Sequence, residues 1–337
     1  MTDKAVTALI YAKTDLGRTR DHNEDAFLVA DLSAGRSTLH SEVARYSIGE
    51  RGLLVLVADG MGGAAAGELA SAMAADLIFG HLVGTWTKED ELTPDRFTLR
   101  LREAVELANL QIHTYAREHP EVRGMGTTAT VAGILGDHLY LAQVGDSRAY
   151  LVRHGNAVQI TKDQSLTQRL VDAGEITEEE AEASSRRNII LQALGPDPRI
   201  RVELTHEQIS RGDTLVLCSD GLSGQVKRDE IAQYVGRQSD LETLGSELIT
   251  LANTRGGPDN ITVVVAQFDG PGLPEPEVDP SYVVLDTDEG AGPQTPTETP
   301  AAAPPPVRTE RTGSPAGMAL LVIGVLIVLL AIFLAVI

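Results

Sequence analysis

Hydrophobic residues in this chain occur mainly in short runs, and two of these runs end at an acidic residue followed by glycine. Residues 53–58 are apolar throughout and precede Asp59 and Gly60, and residues 214–218 precede Asp220 after one serine. Continuous apolar runs of this length are typical of β-strands buried on both faces. A carboxylate at such a strand end needs a partner, so we expect the two aspartates to converge on a hard cation. Two ordinary Asp-Gly turns are the alternative interpretation.

Further runs that are rich in β-branched residues or alternate in polarity predict additional strands. The predicted strands cover residues 6–14, 23–30, 127–135, 139–144, 149–153, 157–161, 200–204, 213–219 and 261–268. Apolar residues at helical spacing predict helices at residues 67–82, 95–119, 229–235 and 241–253. The polar residues 31–50 are expected to form a loop or hairpin, and the charged residues 163–193 a helical excursion over the surface.

An interruption at Gly145 and Asp146 falls within a series of short strands and tight turns. We interpret the series as a meander and the interruption as a β-bulge, which redirects a side chain. Asp146 therefore joins the candidate carboxylates.

The C-terminal part of the chain differs in composition from the rest. Residues 270–316 are rich in Pro, Thr, Glu and Asp, which predicts a disordered linker after a folded domain at 1–269. Residues 318–337 carry no charge. A helix formed by these residues, at a rise of ~1.5 Å per residue, would span roughly the 30 Å hydrocarbon core of a bilayer. We predict one transmembrane helix at 317–337; the arginines Arg308 and Arg311 before it predict a cytoplasmic N-terminal part. A buried core helix is the alternative.

The 337 residues carry a formal net charge of −20, and 42% of them are hydrophobic. The apolar content is ample for a core, and the acidic balance argues against a nucleic-acid partner, which requires a basic surface. Cys218 is the only cysteine, so no internal disulfide can form, and its place in an apolar strand favours a packing role. The N-terminus lacks the apolar core of a signal peptide.

Acidic residues near predicted strand ends are the main chemical signal. Five short motifs carry them: Asn23-Glu24-Asp25, Asp59-Gly60, Gly145-Asp146, Asp220-Gly221 and Asp259-Asn260. Carboxylates without histidine or cysteine partners favour Mg²⁺ or Mn²⁺ over zinc. Two such ions roughly 3.5–4 Å apart would hold a bridging water, lower its pKa and clamp a phosphoryl group for in-line attack. Arg20, four residues before Glu24, offers the planar fork that phosphate binding needs.

Motifs for other chemistries are missing from the sequence. It contains no Gly-x-Ser-x-Gly and no cysteine-based nucleophile motif, and the glycines after Asp59 lack the Gly-Lys-Ser/Thr of a nucleotide-binding P-loop.

Taken in order, the acidic motifs resemble those of the PPM (PP2C-type) metal-dependent protein serine/threonine phosphatases in their bacterial form. The resemblance covers about residues 7–268. It is carried by Arg20-x-x-Asn23-Glu24-Asp25, Asp59-Gly60-Met61-Gly62-Gly63, Gly126-Thr127-Thr128, Val144-Gly145-Asp146-Ser147-Arg148, Ser219-Asp220-Gly221-Leu222 and Asp259-Asn260-Ile261-Thr262. It implies an α+β fold, an αββα four-layer sandwich of two stacked antiparallel sheets flanked by helices, with metals in a cleft at one end.

The resemblance also implies a metal-ligand set. Asp25, Asp59, the Gly60 carbonyl, Asp220 and Asp259 match the positions that bind two catalytic Mn²⁺ or Mg²⁺ ions.

Three further residues match family positions that do not bind the two catalytic ions directly. Asp146, together with Asp220, matches a weaker third-metal site. Arg20 matches the phosphate-binding arginine, and Glu24 an acid that orders metal-bound waters. Residues 163–193 correspond to a flap beside the cleft that influences substrate choice.

The implied function is metal-dependent hydrolysis of phosphoserine and phosphothreonine by attack of the bimetal-bridging water, at the cytoplasmic face of the cell membrane. Expected partners are phosphorylated proteins, a membrane serine/threonine kinase among them, and no nucleic acid. A pseudophosphatase that binds phosphoproteins without turnover is the alternative. A phosphatase for anti-sigma-factor antagonists would share the chemistry and differ only in substrate.

One departure from the family pattern concerns the proton donor to the leaving group. Bacterial members often have a histidine directly after Asp-Gly-Met-Gly-Gly, where this chain has Ala64. His22, His113 and His138 have no motif support. The sequence therefore names no general acid.

Overall fold

The computed structural model of the chain describes residues 5–276, 280 and 283–285. Its strands are β1 (Thr7–Asp15), β2 (Ala26–Asp31), β3 (Arg36–Thr38), β4 (Ala44–Ser47), β5 (Leu53–Ala58), β6 (Gly60–Met61), β7 (Gly126–Thr127), β8 (Ala129–Leu135), β9 (His138–Val144), β10 (Arg148–Arg153), β11 (Asn156–Gln159), β12 (Glu203–Gln208), β13 (Thr214–Cys218), β14 (Ile261–Asp269) and β15 (Val283–Val284). Its helices are α1 (Ala64–Gly84), α2 (Pro94–Glu118), α3 (Leu166–Asp172), α4 (Glu178–Ala183), α5 (Asp220–Ser223), α6 (Arg228–Arg237) and α7 (Leu241–Thr254).

Most of the strands belong to two antiparallel sheets. One sheet has seven strands in the order β15-β12-β9-β8-β5-β2-β3. The other has six strands in the order β11-β10-β13-β14-β1-β4, and β6 and β7 form a separate two-stranded ribbon. Neighbours in sequence are often neighbours in a sheet, as in the β8–β9 and β10–β11 hairpins.

The facing surfaces of the two sheets form a hydrophobic core. Val55 and Val57 of β5 point to this side and pack with Leu215, Leu217 and Val264 from the six-stranded sheet. Because successive side chains of a strand point to opposite faces, the remaining residues of β5 face outward and need a second apolar layer. This double burial is the physical reason for the continuous apolar run in the sequence.

Helices supply that layer on both outer faces. α1 and α2 cover the seven-stranded sheet over Leu54 and Leu56, and α6 and α7 cover the six-stranded sheet over Val216 and Val263. The four layers are therefore αββα, which confirms the predicted sandwich. The predicted transmembrane helix at 317–337 lies outside the described residues.

Within the described part of the chain, one helical stretch has the length and apolar composition that crossing a bilayer requires. It is Ala66–Lys88, which comprises most of α1 and the short 3₁₀ helix Trp86–Lys88 that follows it. Its residues Ala70, Ala74, Ile78 and Leu82 are completely buried in the core shared with α2 and the seven-stranded sheet. Packing inside this domain accounts for its composition.

The predicted bulge at Gly145 and Asp146 is wrong, because the chain changes sheets there. β9 belongs to the seven-stranded sheet and β10 to the six-stranded sheet. Gly145 has φ +103°, and a Cβ at this position would lie 2.6 Å from Thr128 Cγ2, so glycine permits the crossing. The supposed meander is split between two layers.

Two other segments differ from the sequence-based expectation. Residues 31–50 contain β3, which pairs with β2, and β4, which pairs with β1, so this polar excursion adds an edge strand to each sheet. The strand expected at 200–204 is instead β12, Glu203–Gln208, because its ladder with β9 sets the boundaries.

The ordered contacts of the domain continue beyond residue 269, where the linker was expected to begin. Leu273 is buried in the core between the sheets, and Arg211 N donates a hydrogen bond to Pro274 O at 2.8 Å. Further on, β15 pairs with β12, and Leu285 N donates to Leu204 O at 2.8 Å.

A buried ion pair stabilises the six-stranded sheet. Arg153 Nε and Nη2 donate to Asp213 Oδ1 and Oδ2 at 2.9 and 2.7 Å, and the two side chains are only 5% and 1% exposed. Arg153 Nη1 also lies 3.7 Å from Glu207 Oε1, but Asp213→Ala removes the carboxylate that accepts both of these hydrogen bonds, so we expect it to lower the free energy of unfolding by about 3 kcal/mol. Urea unfolding measures the change. Glu275→Ala, which removes an exposed partner of Arg211, should cost less than about 1 kcal/mol; equal losses would contradict the prediction.

Candidate metal centre

Four aspartates lie at strand ends on one side of the sandwich. Asp25 precedes β2 and Asp59 follows β5, and these two strands are antiparallel neighbours in the seven-stranded sheet. Asp220 lies just after β13, and Asp259 lies just before β14, which is the neighbour of β13 in the other sheet. Each sheet therefore delivers two carboxylates to this end, as the strand-end motifs predicted.

Hydroxyl groups connect the two sheets at Asp25. Ser219 Oγ and Thr262 Oγ1 donate hydrogen bonds to Asp25 Oδ2 at 2.8 and 2.7 Å. Thr262 N donates to Ser219 Oγ at 3.0 Å, and Thr262 Oγ1 lies 2.7 Å from Thr14 Oγ1. The Asp25 carboxylate is thus held by donors from the opposite sheet, which brings the two pairs of aspartates together.

The electrostatics of the cluster confirm that its members are close. Burial, reinforced by the charges of Asp220 and Asp259, raises the pKa of Asp25 to about 7, although its two hydroxyl donors favour the charged form. Burial and the charges of Asp25 and Asp220 raise the pKa of Asp59 well above its usual range. Burial and Asp259 likewise raise the pKa of Asp220 to about 6. These carboxylates repel one another, and each is half-buried, with part of its surface open to solvent.

The turn from β5 into α1 is shaped by close backbone contacts. Asp59 N donates to Thr128 Oγ1 at 2.9 Å, which fixes the strand end. Gly60 N donates to Glu24 O at 3.1 Å, and a Cβ on Gly60 would lie 2.3 Å from that oxygen. Only glycine fits where the chain passes Glu24 so closely.

Asp146 lies in the crossing between β9 and β10. Gln143 Nε2 donates to the carbonyls of Gly145 and Ser147 at 3.1 and 2.8 Å, which holds the backbone on both sides of Asp146. Burial and the charge of Asp220 raise the pKa of Asp146 to about 8. Its Oδ1 is buried and has no hydrogen-bond partner among the described residues.

Arg20 and Glu24 lie in the loop between β1 and β2. Arg20 Nη2 donates to Asp259 Oδ2 at 2.8 Å while 48% of its side chain is exposed, so the guanidinium is anchored on one side and open on the other. Burial raises the pKa of Glu24, and Arg20 opposes the shift. Asn260 secures this loop: its Oδ1 accepts from Glu24 N at 2.8 Å, and its Nδ2 donates to His22 O at 2.9 Å.

The structure brings all the predicted site residues to one end of the sandwich. It adds polar residues to which the sequence assigned no role, namely Ser219, Thr262, Asn260, Thr128 and Gln143. The available signal was a polar residue inside or beside an otherwise apolar strand. Such residues cannot be assigned a partner until the two sheets are stacked.

Of the three histidines considered above, His113 and His138 have side-chain contacts in the described structure. His113 Nδ1 lies 2.8 Å from Gly195 O. His138 Nδ1 lies 2.8 Å from Asp137 Oδ1. These contacts give neither histidine a role at the aspartate cluster.

The donor set fits a hard divalent cation. Within the described residues, no group of three or more His, Cys, Asp or Glu side chains is arranged so that it could hold a metal ion as it stands; instead, hydroxyl and guanidinium donors engage Asp25 Oδ2 and Asp259 Oδ2. The cluster nevertheless offers oxygen ligands only, as Mg²⁺ and Mn²⁺ prefer. Mutual repulsion among buried carboxylates and the unpartnered Asp146 Oδ1 are both relieved by a bound cation.

Comparison with known proteins identifies similar chains. A family model described as protein phosphatase 2C matches residues 42–254. The serine/threonine phosphatase stp of Listeria welshimeri is 36% identical over 256 residues, which are 76% of this chain and 94% of that protein. The crystal structure of the Mycobacterium tuberculosis serine/threonine phosphatase PstP/Ppp matches with a TM-score of 0.65 and 36% identity, over 78% of this chain and 100% of that one. The catalytic domain of the phosphatase PstP in complex with two manganese ions matches with a TM-score of 0.63 and 35% identity, over 79% and 100%.

Proposed function

Since this chain belongs to the protein phosphatase 2C family, we propose that its aspartate cluster holds two divalent cations for the hydrolysis of phosphoserine and phosphothreonine in proteins. The chain is a serine/threonine phosphatase of this type, and Mn²⁺ or Mg²⁺ is its cofactor. When bound, two such ions supply a bridging water of lowered pKa and neutralise charge on the phosphate.

The observation that carries the proposal is the convergence of the half-buried Asp25, Asp59 and Asp220 within one another's electric field. Carboxylates in such a setting cost stability unless cations compensate them. We assign these three, Asp259 and the Gly60 carbonyl to the two catalytic ions.

A weaker third site is assigned to Asp146 together with Asp220. Burial and the charge of Asp220 act on Asp146, and one of its oxygens has no partner among the described residues. Glu24 is assigned to ordering water beside the ions, since it matches the family acid with that role and lies near enough to Arg20 and Asp259 for their charges to act on it.

Arg20 is assigned to the phosphate. Its bond to Asp259 fixes the guanidinium while its exposed side faces solvent, so two donors can engage a phosphate oxygen pair. We expect Arg20→Ala to lower kcat/KM for a phosphothreonine peptide by about 100-fold, mainly through KM, and Arg20→Lys to restore little of it because a lysine lacks the planar fork. Steady-state kinetics measure the change.

The matched control for Arg20 is Arg18→Ala, an exposed arginine on the same loop. It should alter kcat/KM by less than about threefold, as for surface changes outside a site. Similar losses in both variants would show that loop charge in general, and not the Arg20 fork, binds the phosphate.

Metal-dependent hydrolysis is tested with the full chain in mild detergent. We expect release of phosphate from a phosphothreonine peptide only when Mn²⁺ or Mg²⁺ is present. Calorimetric titration of Mn²⁺ provides a second readout. Metal binding without phosphate release would overturn the catalytic proposal and favour the pseudophosphatase, for which Ala64 in place of the family histidine is the supporting observation.

We also propose that residues 317–337 tether the enzyme to the cell membrane with the phosphatase domain in the cytoplasm. The support is the uncharged apolar composition of the last twenty residues and the arginines before them. In fractionated cells the full chain should sediment with membranes, and removal of residues 317–337 should release it. A full chain in the soluble fraction would contradict the tether. A membrane serine/threonine kinase and its targets are the partners that such a location favours.

A further inference from the structure

A short extended segment near the end of the surface excursion, residues 189–191, follows a turn at residues 185–188 and lies beside the metal centre. Ile190 forms an isolated antiparallel bridge with Ser165. Two backbone hydrogen bonds support this bridge: Leu166 N donates to Ile189 O at 2.9 Å, and Leu191 N donates to Gln164 O at 2.8 Å. The segment is therefore a short strand that is paired on one edge.

The other edge of this strand is open. In an antiparallel pair of this kind, the N–H and C=O of the bridge residue point away from its partner, and neither group of Ile190 has a hydrogen-bond partner in the described part of the chain. The neighbouring side chains of Ile189 and Leu191 are each 45% exposed. An open edge with apolar side chains is the surface on which an extended peptide adds as a further strand.

Hydrogen bonds connect one end of this strand to the metal centre. The backbone carbonyl of Gln164 accepts from Leu191 N, and the backbone N–H of Gln164 donates to Gly145 O at 2.9 Å. Its side-chain Oε1 accepts from Gly145 N at 3.0 Å. Leu191 is thus two hydrogen bonds away from the residue that precedes Asp146.

The turn that leads into this strand approaches Asp220. Gly224 N donates a hydrogen bond to Asp220 O at 2.7 Å, so Gly224 marks the neighbourhood of this carboxylate. A Cβ built on Gly224, at the end of α5, would lie 3.7 Å from Arg187 Nη2. The turn and the strand together therefore extend alongside the carboxylate cluster, from the neighbourhood of Asp220 to that of Asp146.

We propose that this open edge binds the substrate as an added β-strand: an extended phosphopeptide whose backbone pairs with Ile190 and whose apolar side chains, next to the phosphorylated residue, contact Ile189 and Leu191. The inference rests on the proposed phosphatase function and specifies the substrate class of that site. Peptides with β-branched residues at alternate positions after the phosphothreonine are preferred, because their side chains reach both apolar contacts on one face.

Charge complementarity supports a phosphorylated occupant. Arg186 and Arg187 are exposed, and neither guanidinium is within ion-pair distance of a carboxylate among the residues described. Arg187 lies near the carboxylate cluster, and Arg186 is next to it in the chain, so the two cations attract a dianionic phosphoryl group or an acidic neighbour of it. A neutral apolar partner would gain nothing from them.

The first test replaces the apolar contacts. The probe is a phosphothreonine nonapeptide with valine at alternate positions, and the enzyme is the full chain with Mn²⁺. We expect the double variant Ile189→Ser, Leu191→Ser to raise KM for this peptide by about tenfold. Its kcat/KM for p-nitrophenyl phosphate, which is too small to reach the strand, should change less than twofold.

The control is Leu110→Ser, because Leu110 is 49% exposed on α2 and thus matches the replaced residues in chemistry and exposure. It should leave both substrates unaffected. An unchanged peptide KM in the double variant, with p-nitrophenyl phosphate hydrolysis intact, would overturn the strand inference and leave the phosphatase function standing. If the unmodified chain hydrolyses neither substrate in the presence of Mn²⁺, the proposed phosphatase function itself is rejected.

The second test addresses the backbone pairing. Ile190→Pro removes an outward N–H that has no partner within the described fold, and proline is tolerated at strand edges. We compare the nonapeptide with two versions that are N-methylated at alternate residues. With the unmodified enzyme, the peptide that is methylated on the N–H groups facing Ile190 should have a KM about tenfold higher, and the peptide that is methylated on the other set should not. In Ile190→Pro the two methylated peptides should become equivalent. Equal effects of both methylations with the unmodified enzyme would show that the peptide does not add as a strand.

Discussion

Asp220→Asn should lower kcat/KM for phosphothreonine peptides by at least about 1,000-fold, since a loss of several kcal/mol of metal-based charge stabilisation corresponds to that factor. Asp220 is half-buried, is close to Asp59 and Asp259, and is near enough to Asp146 for its charge to act on that carboxylate. It is thus placed to serve both catalytic ions and the third site. An asparagine has nearly the same shape but no charge, so the fold should persist while cation binding weakens.

Kinetics at saturating Mn²⁺ and calorimetric titration of Mn²⁺ test this expectation together. The matched control is Asp229→Asn, an aspartate with a highly exposed side chain on α6, which should retain full activity and metal affinity. An Asp220→Asn enzyme with near-normal turnover would remove the basis of the metal-centre assignment. Lost turnover with normal metal affinity would place the role of Asp220 in the chemistry and not in cation binding.

The second large effect concerns stability against pH after treatment with a chelator. Burial and mutual repulsion raise the pKa of Asp220 to about 6, of Asp25 to about 7 and of Asp146 to about 8, against an ordinary value of 3.8. Between pH 4 and 8 the folded chain therefore binds more protons than the unfolded chain. The free energy of unfolding should then fall as pH rises, by about 3 kcal/mol over two pH units for each excess proton.

Urea unfolding of the full chain from pH 5 to pH 8 measures this dependence. With the chelator present we expect a steady loss of stability, and with excess Mn²⁺ we expect the loss to disappear, because the cation binds the ionised carboxylates of the folded state. Asp59→Asn removes one repelling charge and should flatten the chelator curve while raising stability at pH 8. Stability that is constant or increases from pH 5 to pH 8 in the chelator would contradict the assignment of raised pKa values.

Much of the architecture follows from residue patterns that are local. The continuous apolar run of β5 predicted a strand buried on both faces, and the structure places it between the inter-sheet core and the helices α1 and α2. The periodicity of residues 95–119 predicted α2, whose start is set by Thr93 as N-cap and Pro94 in the first turn. Such features depend on neighbours within a few residues, so they can be predicted without the tertiary structure.

Boundaries and exceptions depended on partners that are distant in the chain. The crossing at Gly145 resembles a bulge in sequence, and it is fixed by the side chains of Gln143 and Gln164 and by contact with Thr128. The segment at 283–285 belongs to a region of linker composition, but it pairs with β12. Neither partner is recognisable from local pattern, because each is defined by a ladder or a packing contact formed only on folding.

By itself, the sequence determined which residues are the candidates for the chemistry: acids at strand ends in a fixed order, an arginine before the first of them, and no cysteine or histidine set that competes. Only the tertiary structure decided how these acids are held. It placed Ser219 and Thr262 of one sheet on the carboxylate of Asp25 from the other, and it left the outer edge of Ile190 open beside the cluster. The physical reason is that charge type is a property of a residue, whereas desolvation, repulsion and a free hydrogen-bonding edge are properties of what surrounds it.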